Sequence, residues 1–315
     1  MAGIYSNLVI NHRHRGVAMV GDLPRRLVAE AIGTMLLVLF GAGSVVAALV
    51  MQNGRLDYAA LGIISFSFAV VVALVIYAFG STSGAHINPA VTIALAAGRR
   101  FPWSEVPFYI VAQLVGAFAG GLLIVGGFGR RAVDNGVGLT ALGQGVSYGQ
   151  GILLEGLGTF LLLLTIMALA VDRRAPSGWA GWMIGLAVAC EIFVLGPLTG
   201  GSVNPARTFG PYLTTTVFGG SAPWWQYGVY IAGPIIGAVL AVVVYDLVAR
   251  PMRELPVTAE QGTAGEIIGA RGQDLPEAAQ GAAGDIPTAR RPHDDRIRDR
   301  VGHIGRRRWR PGHGG

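Results

Sequence analysis

The tripeptide Asn-Pro-Ala occurs twice, at Asn88-Pro89-Ala90 and at Asn204-Pro205-Ala206, and Arg207 follows the second copy directly. Asparagine is favoured as a helix N-cap and proline at the first helical position, so each copy predicts the start of a helix. The runs that follow, 91–97 and 208–217, are too short to cross a bilayer. A helix N-terminus carries about half a positive charge, so two such ends that meet would repel cations while tolerating water. Such an arrangement would discriminate between solutes and would make or break no covalent bonds.

Long apolar segments surround these motifs. Hydrophobic residues make up 52% of the 315 positions and charged residues 13%, against about 25% charged residues in soluble domains. A helix that spans a bilayer needs about 20 mostly apolar residues. Runs of that length occupy residues 27–50, 59–80, 106–128, 151–171, 178–199 and 228–249. The sequence therefore predicts an all-α membrane protein with six transmembrane helices and two half-helices.

The two halves of the chain resemble each other. The matched segments are Glu30-Ala-Ile-Gly33-Thr34 with Glu155-Gly-Leu-Gly158-Thr159, and Gln113-Leu-Val-Gly116-Ala117 with Pro234-Ile-Ile-Gly237-Ala238. Each half contains three spans, so the second copy enters the membrane from the opposite face. We predict an inverted repeat, about 25–128 and 149–250, in which re-entrant half-helices approach each other from opposite sides.

The arginines near the spans are distributed unequally between the two sides of the membrane. One side has Arg13, Arg15, Arg25, Arg26, Arg99, Arg100, Arg173, Arg174, Arg250 and Arg253, and the other has Arg55, Arg130 and Arg131. The richer side is cytoplasmic by the positive-inside rule. We therefore predict a multi-pass protein of the plasma membrane with both termini in the cytoplasm.

The chain divides into three predicted parts. Residues 1–24 form a cytoplasmic N-terminal segment and residues 25–250 the membrane domain. Residues 251–315 are rich in Gly, Ala, Pro and charged residues and poor in aromatics. Such a composition buries too little apolar area to offset the entropy of ordering, so a disordered cytoplasmic tail is predicted.

Several classes of function are not expected. The net charge is +6, but the arginines form no stripe interleaved with aromatics, so no nucleic-acid partner is predicted. Cys190 is the single cysteine, which excludes an internal disulfide and a cysteine metal cluster. The chain has no metal-ligand spacing and no nucleophile placed with a base. We therefore predict no metal, no cofactor and no enzymatic activity.

The residues around the two motifs carry a family resemblance. Ser83-Gly-Ala-His86-Ile-Asn88-Pro-Ala-Val-Thr92 and Gly201-Ser-Val-Asn204-Pro-Ala-Arg207 are similar to the two signature loops of the aquaporin family. The resemblance covers about residues 25–250 and implies an aquaporin-like bundle in the lipid bilayer, assembled as a homotetramer with one pore per subunit. It implies a passive channel for water that excludes protons and ions, with glycerol and other small neutral solutes as further candidates.

The resemblance also implies roles for individual residues. It assigns the selectivity constriction to Phe68, Ile192, Gly201 and Arg207. It assigns the pore-lining backbone, which we expect to be extended, to Gly84, Ala85, His86, Gly200 and Ser202. Glu30 and Glu155 resemble the buried glutamates that accept hydrogen bonds from the re-entrant loops. His86 is expected to be a fixed pore-lining donor, with a pH-sensitive gate as the alternative.

The constriction departs from two patterns within the family. Strict water channels usually carry histidine in place of Ile192 and often a larger residue in place of Gly201, so a wider and more apolar aperture is predicted. Glycerol facilitators typically carry aspartate after the arginine and a basic residue four positions further on, where this chain has Thr208 and Tyr212. The constriction set is most similar to the archaeal aquaporin subgroup.

Glu191 leaves an alternative function open. It lies in the middle of a predicted span and has no counterpart in the repeat. An intramembrane carboxylate is a candidate for function, so the alternative is a secondary transporter of a small solute that couples through Glu191. We favour a hydrogen-bonded or protonated carboxyl over a pore-facing or subunit-facing role.

Small residues predict close packing of helices. Glycines recur at four-residue spacing as Gly116 and Gly120, and as Gly233 and Gly237. Such spacing lets membrane helices approach closely, which would serve assembly.

Overall fold

The computed structural model describes residues 22–249, and all regular structure in this range is helical. In chain order the helices are α1 (Leu23–Met51), α2 (Tyr58–Ser83), α3 (Pro89–Ala97), α4 (Trp103–Phe128), α5 (Arg130–Asp134), α6 (Tyr148–Val171), α7 (Ala180–Thr199), α8 (Pro205–Val217) and α9 (Trp224–Val248). Six of them are long and apolar enough to span a membrane, namely α1, α2, α4, α6, α7 and α9. The predicted fold class is confirmed. The predicted tail, 251–315, and nearly all of the predicted segment 1–24 lie outside the described residues.

The two half-helices begin at their prolines. Asn88 and Asn204 have extended backbone, and their side-chain oxygens accept hydrogen bonds from the amides of Ala90 and Ala206, at 2.9 and 3.0 Å. These caps satisfy amides that have no partner within the helix. Each half-helix begins at its proline with the asparagine as N-cap, as the motif predicted, and continues through the predicted run.

The packing of the helices follows the repeat. Helix α1 packs on α4 and α6 packs on α9, while α2 and α7 pack on each other between the two halves. The half-helices are exchanged, since α3 packs on α9 and α8 packs on α4. Each half therefore contributes a half-helix to the other half, and both half-helix N-termini point inward.

The repeated glycines are used within one subunit. A Cβ added at Gly116 would lie 2.8 Å from the carbonyl carbon of Ala31 in α1, and one at Gly237 would lie 2.6 Å from the carbonyl carbon of Gly156 in α6. The other two glycines of the pattern meet α1 and α6 in the same way. These four residues therefore set the close approach of α1 to α4 and of α6 to α9, and they supply no argument for contacts between subunits.

Candidate transmembrane pore

A cavity of about 220 Å³ runs between the two half-helix N-termini. It extends from Val171, at the end of α6, to Arg207 in α8. One wall consists of the two re-entrant loops and is rich in backbone polar groups. The other wall is apolar and consists of side chains that include Val72, Leu162 and Val188. A solute in this cavity is therefore offered hydrogen bonds from one side.

Asn88 and Asn204 both line this cavity and hold the two half-helices together. The Nδ2 of Asn88 donates to the carbonyl of Val203 at 2.8 Å, and the Nδ2 of Asn204 donates to the carbonyl of Ile87 at 2.8 Å. A carboxamide has two N–H donors, so this reciprocal pair leaves one donor on each asparagine. We expected the amide donors to point into the lumen, and half of them are used instead to join the loops.

The re-entrant loops are not extended throughout, contrary to our expectation. Positive φ occurs at Gly84, Ala85 and Ile87 in the first loop, and at Gly200, Gly201 and Val203 in the second. The left-handed region is costly for residues with a Cβ, and such strain persists only where the surroundings enforce it. These left-handed residues turn the peptide units of each loop, which lets N–H groups face the scaffold while carbonyl groups face elsewhere.

Glu30 enforces the first loop from behind. Its Oε1 accepts from the amide of His86 at 2.9 Å and from the Oγ of Ser83 at 2.7 Å. Its Oε2 accepts from the amide of Ile87 at 2.7 Å and from the Nε2 of Gln113 at 2.8 Å. Glu30 is fully buried, and hydrogen bonds to charged groups contribute about 1.5–3 kcal/mol each. The geometry agrees with the scaffold role that the resemblance implied.

Glu155 holds the second loop in the same way with fewer donors. Its carboxylate accepts from the Oγ1 of Thr199 at 2.6 Å, from the amide of Ser202 at 3.0 Å and from the amide of Val203 at 2.6 Å. The repeat places Pro234 where the first half has Gln113, so the fourth donor has no counterpart. With their N–H groups facing Glu30 and Glu155, both loops have a fixed orientation.

The loop carbonyls form the polar wall of the cavity. Within the described part of the chain, no protein donor reaches the carbonyl oxygens of Gly84, Ala85, His86, Gly200 or Ser202. Unpaired carbonyls are tolerated at membrane depth where they line a cavity that holds polar solute. Of the five residues predicted as pore-lining backbone, Gly84, Ala85, His86 and Ser202 line the cavity and carry acceptors that a solute can use, whereas Gly200 does not line it.

His86 is packed and hydrogen-bonded. Its ring lies 4.8 Å from the ring of Phe101 and 5.2 Å from that of Tyr109, and its Nδ1 is 3.1 Å from the Oγ1 of Thr92. The side chain also lines the cavity. A ring enclosed on these sides has little freedom to swing, and this geometry favours the fixed pore-lining group over the gate.

Phe68, Gly201 and Arg207 meet at one end of the cavity and line it. The guanidinium carbon of Arg207 lies over the ring of Phe68, 5.1 Å from its centroid. Ile192 is adjacent but lies behind Gly201. A Cβ added at Gly201 would be 3.3 Å from the Cα and from the Cγ1 of Ile192. The structure brings all four predicted constriction residues together, with Ile192 in the second layer.

Arg207 is held by a loop that sequence reasoning did not single out. Its Nη1 donates to the carbonyl of Gly138 at 2.9 Å. That loop is fastened to α8, because Tyr212 donates to the carbonyl of Thr140 at 2.8 Å and the hydroxyls of Thr140 and Thr208 are 3.0 Å apart. Thr208 and Tyr212, which distinguish this chain from glycerol facilitators, therefore position the loop that orients Arg207.

Glu191 is buried without a protein partner. It is 4% exposed, and neither carboxyl oxygen forms a hydrogen bond within the described residues. It does not line the cavity, and its Oε2 would lie 3.4 Å from a Cβ at Gly158, one turn from Glu155. We expected a hydrogen-bonded or protonated carboxyl; within the described residues the hydrogen bond is not observed. The pore-facing alternative has no support in this geometry.

Replacing Glu191 with methionine is expected to stabilise the protein without changing water flux. A buried polar group without a hydrogen bond costs about 1–3 kcal/mol, and methionine fills similar space without that cost. The thermal midpoint of Glu191→Met in detergent and its water permeability in liposomes measure the two effects. Gln113→Met is the matched control, since Gln113 is hydrogen-bonded and its loss should lower the midpoint. Loss of transport by folded Glu191→Met would instead favour the transporter.

Comparisons with known proteins agree with this geometry. The family model described as major intrinsic protein matches residues 19–245. The chain is similar to the probable aquaporin AqpM of Archaeoglobus fulgidus, with 47% identity over 246 residues that cover 74% of this chain and all of that protein. It is similar to aquaporin AqpM of Methanothermobacter marburgensis, with 47% identity over 71% of this chain and 97% of that protein.

Similarity extends to a plant protein and to a solved structure. A probable aquaporin of NIP type from Nicotiana alata is 37% identical over 75% of this chain and 83% of that protein. The X-ray structure of the aquaglyceroporin from Plasmodium falciparum superposes with a TM-score of 0.65 and 25% identity, over 73% of this chain and 98% of that chain. Sequence and fold therefore point to the same family.

Proposed function

Because this chain belongs to the major intrinsic protein family and is a passive membrane channel for water and other small solutes, we propose that its pore conducts both water and glycerol and excludes protons and ions. The sites of selection are the two Asn-Pro-Ala motifs and the constriction of Phe68, Ile192, Gly201 and Arg207. The secondary transporter that Glu191 suggested is not favoured, and channels of this family are not enzymes.

The main support for this proposal is that the N-termini of the two half-helices meet at the cavity. Each presents about half a positive charge at its N-terminus, and Asn88 and Asn204 fix the two ends against each other at 2.8 Å hydrogen bonds. Among the described residues that line the cavity, Arg207 adds a full positive charge and there is no acidic side chain. A cation therefore meets repulsion without a compensating partner, while a neutral hydroxyl compound meets carbonyl acceptors and amide donors.

Glycerol is proposed from the form of the constriction. Gly201 leaves no side chain at its position, and the nearest atoms behind it belong to Ile192, which is apolar. The carbon face of glycerol can lie against Phe68 and the apolar wall while its hydroxyls reach Arg207 and the loop carbonyls. The aquaglyceroporin fold similarity and the two archaeal aquaporin relatives support a channel of this class.

Assembly and location are proposed from the family and from charge. We propose a homotetramer in the plasma membrane with a separate pore in each subunit. We propose that both termini lie in the cytoplasm, a proposal supported by the arginine-rich connections on the side where α1 begins and α9 ends.

Ile192→His is expected to lower glycerol permeability about tenfold or more and water permeability much less. A histidine ring extends further from the backbone than an isoleucine side chain and would reach into the space that Gly201 leaves open, which narrows the aperture for the larger solute. Purified protein in liposomes is followed by stopped-flow light scattering, under an impermeant osmolyte for water and under a glycerol gradient for glycerol. Ile192→Val is the matched control and should keep the ratio of the two permeabilities.

Each result has a separate meaning for the proposal. Fast glycerol flux in the native protein that Ile192→His suppresses supports a mixed channel controlled at the constriction. Water flux without glycerol flux would contradict the glycerol part and leave a water channel. Flux of neither solute above that of protein-free vesicles would contradict the conducting pore.

A further inference from the structure

The first transmembrane helix contains a π-helical turn at the depth of the constriction. Helix α1 changes from α to π geometry over Leu37–Ala42 and returns to α geometry at Gly43. π-helical turns are rare within α-helices and are found mostly at functional sites. The carbonyl of Phe40 within this turn accepts a hydrogen bond from the Oγ of Ser67 at 2.9 Å. The turn is thereby joined to α2 beside Phe68.

Gly41 lies in this turn, directly against the ring of Phe68. A Cβ added at Gly41 would lie 2.6 Å from Cδ1 and 2.7 Å from Cζ of Phe68. Non-bonded carbon atoms rest at about 3.5–4.0 Å. The ring therefore occupies the space that any side chain at position 41 would need, and the backbone of the turn forms a recess for it.

Phe68 separates Gly41 from the lumen. Phe68 lines the cavity whereas Gly41 does not, and the guanidinium of Arg207 lies over the same ring at 5.1 Å. The ring is also packed within the core, with 3% of its surface exposed. A group that pushes the ring away from Gly41 must therefore move it toward the lumen and Arg207.

We propose that Gly41 is a positioning residue that sets the aperture of the channel, because its missing side chain lets the Phe68 ring withdraw from the lumen. The part of this inference that concerns glycerol rests on the proposed function. A Cβ at position 41 would displace the ring by at least about 1 Å, because Cδ1 and Cζ lie 2.6 and 2.7 Å from that position and Cε1 lies closer still. A displacement of this size matters most for the solute with the largest cross-section.

The same turn also supports the opposite side of the constriction. Gly138, whose carbonyl holds Arg207, packs on the carbonyl group of Ala42, and a Cβ at Gly138 would lie 2.9 Å from the carbonyl carbon of Ala42. One turn of α1 thus contacts Phe68 through Gly41 and the Arg207 loop through Ala42. A single segment of backbone therefore supports the residues on both sides of the aperture.

The test is a double-mutant cycle between positions 41 and 68 in liposomes. Gly41→Ala should lower glycerol permeability about tenfold or more and water permeability by a smaller factor. In the Phe68→Leu background the same change should have little effect, because the ring that the added methyl group displaces is absent. Gly43→Ala is the matched control on the same helix, since a Cβ there meets Ile124 at an ordinary 3.5 Å, and it should leave both permeabilities unchanged.

The readouts separate positioning from a general loss of structure. The amount of folded protein per vesicle is measured for every variant, and the Gly41→Ala, Phe68→Leu double variant should fold and conduct even if Gly41→Ala alone does not. If the native protein conducts water but not glycerol, the water permeabilities of the same variants still test the role of Gly41. Failure of the glycerol proposal is therefore distinguishable from failure of the Gly41 proposal. Unchanged flux in Gly41→Ala, or an equal loss of flux in both backgrounds, would overturn the inference.

Discussion

Glu155→Met is expected to abolish water flux and to prevent most of the protein from folding. The substitution removes the acceptor for three buried donors, the amides of Ser202 and Val203 and the hydroxyl of Thr199. Each buried donor left unpaired costs about 1–3 kcal/mol, so the total is at least about 3 kcal/mol. Native proteins are stable by only about 5–15 kcal/mol, and the strained second loop loses the group that enforces it.

Glu191→Met is the matched control for this prediction. Both residues are buried glutamates in neighbouring transmembrane helices, and they differ in having three protein partners or none within the described residues. The two substitutions should therefore change stability in opposite directions. Recovery of folded protein after purification and its water permeability measure the difference. Equal behaviour of the two variants would show that the hydrogen bonds of Glu155 do not hold the loop.

Arg207→Met is expected to raise proton and cation permeability by about two orders of magnitude. For a cation about 5 Å from the guanidinium in an effective dielectric constant of about 20, the repulsion is about 3 kcal/mol. A difference of about 1.4 kcal/mol corresponds to a factor of ten in rate. The half-helix dipoles remain in this variant, so exclusion should weaken without being lost.

Proton flux into liposomes with a trapped pH-sensitive dye measures this effect, with a potassium ionophore to compensate charge. Arg130→Met is the control, because Arg130 is a surface arginine whose side chain is 69% exposed. It should leave proton flux unchanged. Proton flux of Arg207→Met that equals that of the native protein would assign ion exclusion to the half-helices alone.

The sequence predicted the helices well because their signals are local. Each predicted span boundary lies within four residues of the observed one, and the largest differences are four residues each, at α1, which begins at Leu23 rather than at residue 27, and at α9, which begins at Trp224 rather than at residue 228. Length and apolar composition determine a span in a bilayer, and Asn88 and Asn204 are strong local signals for a helix start. The two half-helices could be predicted from the same residues.

The shape of the pore depends on contacts that leave no local signal. The π-helical turn at Leu37–Ala42 has the same apolar composition as the α-helix around it. The carbonyl of Gly138 holds Arg207 from 69 positions away, and no motif marks that glycine. The left-handed backbone of the loops is held by the hydrogen bonds that Glu30 and Glu155 accept from loop amides. The expectation of extended loops was therefore wrong, because distant residues decide the conformation.

The reciprocal asparagine pair has a consequence for the order in which the protein forms. Asn88 reaches the carbonyl of Val203, 115 residues later, and Asn204 reaches back to Ile87. While the second half is still being synthesised, the first re-entrant loop lacks its partner and retains an unpaired amide and an unpaired carbonyl. Contacts so distant in sequence require a long loop to close before they can stabilise the fold. Insertion of the spans and closure of the pore wall are therefore separate steps, and a nascent chain that ends before α8 would hold a membrane-inserted but unfinished channel.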